Sequence, residues 1–154
     1  MRLPDRRDDG GNAVVEFVFV AVIVMVPLIY LIVAVAVVQR SQLAVTQAAR
    51  EAGRAFATSD GTRRAAVRTA AAIRLALADQ GLANDADVRF VAAGSGSSCL
   101  AATVAPKLVP GATFTVCVSR RTQLPAVPTL LGGRGITTVG EYVVHVDDFR
   151  TVTP

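Results

Sequence analysis

The sequence predicts an α+β protein: a long N-terminal transmembrane helix continuing as a stalk, then a second helix packed on a small antiparallel sheet. Three observations predict it. Phe17 to Val38 is a run of 22 residues without a charge. Thr62 to Gln80 carries apolar residues at helical spacing and stops before a glycine. The last third alternates with period two, most strictly from Thr113 to Ser119. A length of 154 residues suits one compact domain plus a membrane segment.

Taken in order, the apolar run would span roughly 33 Å as a helix, enough for a bilayer core. Pro27 is tolerable there, because neighbouring helices can satisfy the backbone groups it frees. Beyond Val38 the chain turns polar, yet Val45, Ala48, Ala49, Ala52, Ala55 and Phe56 keep helical spacing, and Arg50 and Arg54 share another face. The helix should therefore continue to about Ala57, where Thr58-Ser59-Asp60-Gly61 ends it. In the second helix Ala66, Val67, Ala70, Ile73 and Leu77 form the expected core stripe, with Gly81 as its C-terminal cap. Three strands follow. Val88–Val91 is short; Thr113–Ser119 places Phe114, Val116 and Val118 on one face; Ile136–Val146 places Tyr142, Val144 and Val146 on one face. Sequential strands joined by loops argue an antiparallel sheet. The expected division is 1–11, a short charged segment; 12–57, transmembrane helix and stalk; and 58–154, an α+β head.

The net charge of +4 is almost all arginine, Lys107 being the only lysine. Arg63, Arg64, Arg68 and Arg74 suggest nucleic acid at first, but no aromatics interleave them for base stacking, so no nucleic-acid partner is expected. A solvated helix face, or contact with anionic lipid headgroups, accounts for them. Cys99 and Cys117 are an even pair beyond the membrane run, which in an exported domain reads as a disulfide. Too few His or Cys residues exist for a zinc site, and no metal or cofactor is implied. His145, the only histidine, could be a general base oriented by Asp147, but no nucleophile accompanies it and a solvated strand face is the simpler reading. Gly94-Ser95-Gly96-Ser97-Ser98 and Gly132-Gly133-Arg134-Gly135 match no phosphate loop and read as a flexible loop and a turn. The apolar connection Leu124–Leu131 either folds back as core or forms a subunit contact. No catalytic residue, and hence no enzyme, is expected.

One carboxylate marks the start of the apolar run. Gly11-Asn12-Ala13-Val14-Val15-Glu16-Phe17 puts Glu16 at the edge of a membrane-length segment, where a charge is costly and functional by default. Glycine, four residues, then Glu-Phe opening a hydrophobic helix resembles the site where prepilin peptidase cuts type IV-like pilins after the glycine. The short leader, the Glu-Phe pair and the long helix look most like TadE-family minor pilins of the tight-adherence (Tad/Flp) pilus system. The doubled glycine Gly10-Gly11 is a departure, and only Gly11 has the motif's spacing to Glu16.

The resemblance implies a pilin-like fold and a non-enzymatic minor pilin or pseudopilin acting in assembly or function of the pilus. Residues 1–11 would be a prepilin-type leader, with cleavage between Gly11 and Asn12, and Glu16 and Phe17 would serve assembly and recognition. Implied partners are prepilin peptidase, other pilins and pilus-assembly membrane proteins, and the lipid bilayer. The place implied is the bacterial cytoplasmic membrane, single-pass, with the C-terminal domain extracytoplasmic or incorporated in the pilus. Lysine and arginine flank the helix equally, so the positive-inside rule leaves the orientation open, and the cytoplasmic action of the peptidase puts residues 39–154 outside. The alternative is an uncleaved, single-pass anchor for an extracytoplasmic binding domain. A signal peptide cut near Ala34-Val35-Ala36 is disfavoured, because the run exceeds an h-region of about 7–15 residues.

Overall fold

The computed structural model describes residues 12–94, 99–124 and 135–151. The 1–11 segment, most of the two glycine-rich stretches and 125–131 of the apolar connection lie outside the described residues. Helix α1 is Asn12–Ala57 and α2 is Thr62–Asp79. Strands β1 (Asp87–Ala92), β2 (Thr113–Thr122) and β3 (Ile136–His145) form an antiparallel sheet in the order β1-β2-β3. The architecture is α+β, as expected from the switch of periodicity along the chain. β1 and β2 extend beyond the stretches read from the sequence, whereas β3 starts at Ile136 as expected and ends one residue short, at His145.

The chain divides into one unit ending at Ala36 and a second beginning at Val37. In the second unit the end of α1 is core. Ala44, Val45, Ala48, Ala49, Ala52 and Phe56 are buried together with Ile73 and Leu77 of α2 and with Phe114, Val116, Val118, Val144 and Val146. Small residues on α1 let the sheet come close. A Cβ on Gly140 would overlap the Val45 carbonyl, and one on Gly53 would lie 2.6 Å from Val144 Cγ2 and 2.7 Å from Tyr142 Cδ1. Phe56, Phe90 and Phe114 fill the space beside this approach, with ring centroids 5.2–5.9 Å apart in tilted or edge-on pairs.

A buried hydroxyl cluster ties α1 to two strands. Ser41 Oγ lies 2.8 Å from Thr138 Oγ1, Thr122 Oγ1 donates to Ser41 Oγ at 2.5 Å, and Thr138 Oγ1 also reaches the Arg120 carbonyl at 3.2 Å. Each buried hydroxyl thus has a partner, so the network fixes register without leaving a polar atom unsatisfied.

The stop after α1 works through side chains. Thr58 Oγ1 and Ser59 Oγ donate to the Arg54 and Ala55 carbonyls, and the Arg150 guanidinium donates to the Ala57 and Ser59 carbonyls. The Arg54, Ala55 and Ala57 carbonyls belong to the last turn, which a helix end leaves without its usual intrahelical donors, and the cation also suits the negative end of the dipole. For α2, Gly81 takes the role its sequence suggests. With φ +65° it donates to Ala78 O, while Leu82 N–H donates to Leu77 O, a Schellman closure.

The core face of α2 departs from expectation. Ala65, Thr69, Ile73, Ala76 and Leu77 are buried, whereas Ala66, Val67 and Ala70 are exposed. Ile73 and Leu77 sit in the core as expected, but the first two turns face differently. Thr69 turns inward because its hydroxyl finds the Ala52 carbonyl of α1 at 3.4 Å. Val67 is left 68% exposed.

On β2 the inward set Phe114, Val116 and Val118 is buried, and so are Thr115 and Cys117 on the opposite face. On that face the structure joins Cys117 to Cys99, with Cα atoms 5.7 Å apart.

Candidate functional site

Asn12, the first described residue, is already helical, and α1 is described from there on; Gly11 lies outside the described residues. Asn12 and Glu16 are four apart in a helix and so lie on one face, one turn from each other. No acidic residue occupies the first turn, and Glu16 is exposed with no ion-pair partner among the described residues. Phe17, beside it, is 73% exposed.

Beyond Phe17 the helix is apolar on every side. Its best window has a mean hydropathy of 3.1, and none of that window is buried within the molecule. A core helix of such composition would be covered by its own fold, as α1 is after Ser41. By length and composition the segment is able to cross a membrane. Glu16 is the only charged residue on α1 before Arg40. One continuous helical stretch therefore holds a lone carboxylate followed by an unburied apolar surface.

The other sequence candidates do not converge on it or on one another. His145 Nε2 lies 3.4 Å from Asp148 Oδ2, both side chains being more than half exposed. Asp147, expected to orient the histidine, instead accepts the Phe149 N–H at 2.9 Å. The reason is the turn after β3, which brings the residue three positions on beneath the ring rather than the one two positions on. Arg63, Arg64, Arg68 and Arg74 are all exposed, and Arg64 pairs with Asp60 four residues away at 2.5 Å. That matches the solvated helix face. Among the described residues no group of His, Cys, Asp or Glu is placed to hold a metal.

One ion pair has no counterpart in the sequence reading. Arg120 Nε and Nη2 grip Asp85 at 2.5 and 3.2 Å, with the arginine side chain only 11% exposed. It ties the turn before β1 to the end of β2, and residues 35 apart in the chain carry no local signal for it.

Residues 11–54 match the family model described as TadE-like protein. The match starts at Gly11, takes in Glu16, Phe17 and the apolar segment, and stops at Arg54, short of α2 and the sheet. No curated protein and no solved structure matches the chain significantly.

Proposed function

With a TadE-like segment over 11–54 as the premise, we propose that this chain is a non-enzymatic minor pilin or pseudopilin of a Tad/Flp pilus, cut by prepilin peptidase between Gly11 and Asn12. The observation that supports the reading is Glu16, five residues past Gly11, at the head of an apolar helical segment that nothing among the described residues covers. An apolar helix of this kind has two physical outlets, lipid and other apolar helices. Cleavage would add a third element, a free α-amino group of typical pKa about 7.7–8.0, largely protonated at neutral pH and four residues from Glu16. Residues 39–154, with the α+β head over 58–154, would stand outside the cytoplasmic membrane, where a disulfide between Cys99 and Cys117 persists.

Two measurements test this. Intact mass of the protein extracted from its native membrane should lack residues 1–11 and leave Asn12 at the N-terminus. A native chain that retains Met1 would favour the uncleaved anchor. The second measurement is thiol titration without reductant, which should find neither cysteine free. In the chain-entropy model, a loop of this length stabilises by about 3 kcal/mol, so reduction should lower the thermal midpoint of the head. Two free thiols in native membranes would remove the exported placement.

A further inference from the structure

The two edges of the sheet are not alike. In β3 the even-numbered residues bond to β2. The ladder continues past the strand with the Val146 N–H donating to Ala112 O at 2.9 Å, and Val139 O, on the opposite phase, faces outward and accepts Gln42 Nε2 at 2.9 Å. The backbone groups of Glu141 and Val143 therefore point away from β2, and among the described residues nothing pairs with them. In β1 the phase is reversed. Asp87, Arg89 and Val91 bond to β2, while Val88 and Phe90 face outward. This second edge is covered. Val104 N–H donates to Phe90 O at 2.8 Å, Val91 bridges Thr103, and the segment that carries both is fastened to β2 through Cys99 and Cys117.

We infer that this fastened segment is a clasp that keeps the β1 edge from pairing with the β3 edge of a second copy of the same chain. The two edges fit each other. Both strands run antiparallel to β2 and hence parallel to one another, so β3 of one copy against β1 of the next leaves all copies pointing the same way. A parallel ladder needs an outward residue on one strand opposite an inward-bonded residue on the other, with side chains on the same face. Placing Glu141 opposite Arg89 and Val143 opposite Val91 meets both conditions, because all four side chains lie on the sheet face away from α1. The first pair is opposite in charge and the second apolar, both favourable across strands. In that register the Val143 N–H would take Phe90 O, the acceptor Val104 now occupies.

The contact is head-to-tail, so it repeats without closing. An uncovered β1 would make each head both template and addition, which is the hazard of open edges. The clasp thus permits close lateral packing of heads while preventing fusion of their sheets. This inference rests on the sheet alone and not on the pilus reading.

The test uses the full-length protein in one detergent, with mass measured by light scattering across a concentration series. Wild type should stay monomeric. Cys99→Ser with Cys117→Ser should shift the mass to multiples that grow with concentration, and Val104→Pro, which removes the donor to Phe90 with the cysteines intact, should do the same. Adding Val143→Pro, or separately Val88→Pro, should restore the monomer, since each takes an outward N–H from one edge without touching the β2 ladder. Unchanged monomer in both clasp variants overturns the inference. So does association that persists in both edge-blocked forms.

Discussion

Gly140→Ala should cost the head about 3 kcal/mol and lower its thermal midpoint on the order of 10 °C. The added methyl would overlap the Val45 carbonyl, with Val45 C and Thr46 N also in its way. All three are helix backbone, which cannot rotate aside, so relief requires α1 to move off the sheet. Such a shift would also stretch the Ser41–Thr138 contact at 2.8 Å and loosen the packing of Phe56. Gly53→Ala provides the contrast. Its methyl would meet the Val144 and Tyr142 side chains, and Tyr142 is 40% exposed and able to swing outward. The loss there should be clearly smaller. Thermal unfolding of the two full-length variants checks the ordering, and equal losses would mean that α1 and β3 separate more readily than their contacts indicate.

Glu16→Ala should leave the protein inserted and cleaved but reduce its incorporation, or pilus output, at least about tenfold, the factor that 1.4 kcal/mol represents. A carboxylate in this setting bears a desolvation cost, of order 2.5–3.5 kcal/mol for Asp at a bilayer centre and less near the interface. Among the described residues no cation offsets it. The α-amino group created on Asn12 by cleavage would do so, within one helix or between adjacent copies. A pair between copies also sets the axial stagger of neighbouring helices, which an apolar surface alone leaves free to slide. Pilus counts in cells expressing Glu16→Ala, alongside the intact mass of the variant, separate an assembly defect from a processing defect. Normal assembly would make Glu16 incidental.

Both helices and the three strands are legible because each is written in local periodicity, and the stop at Gly81 because the Schellman closure needs positive φ. The N-terminal candidate is legible for the same reason: Gly11, Glu16 and Phe17 are neighbours in sequence. The face of α2 is not. In its first half, residues 62–70, the only apolar residues besides Val67 are small alanines, so hydrophobicity favours no face strongly and Val67 alone tips the pattern the wrong way. The choice is made by a hydrogen bond from Thr69 to another helix. Gly140 against Val45, Arg120 with Asp85, and Arg150 on Ala57 are pairings of distant segments, and neither partner's surroundings betray the other. His145 falls between these cases: its neighbours are plain in the sequence, but the turn decides which of two aspartates it meets.

Arg150 bears on the order in which the molecule can become itself. The final carbonyl of α1, that of Ala57, obtains its donor from a residue 93 positions later, and the hydroxyl cluster on Ser41 awaits Thr138, 97 positions later. During synthesis, therefore, α1 is complete long before anything exists to bond its last carbonyl or cover its small-residue face. On the proposed reading the apolar segment would have time to settle in lipid while the remainder is still unstructured, and the head becomes cooperative only when nearly all of the chain has emerged. Long-range closure of this kind makes folding slow. For a domain that passes through a membrane in extended form, as the proposed function requires, that delay would be an advantage.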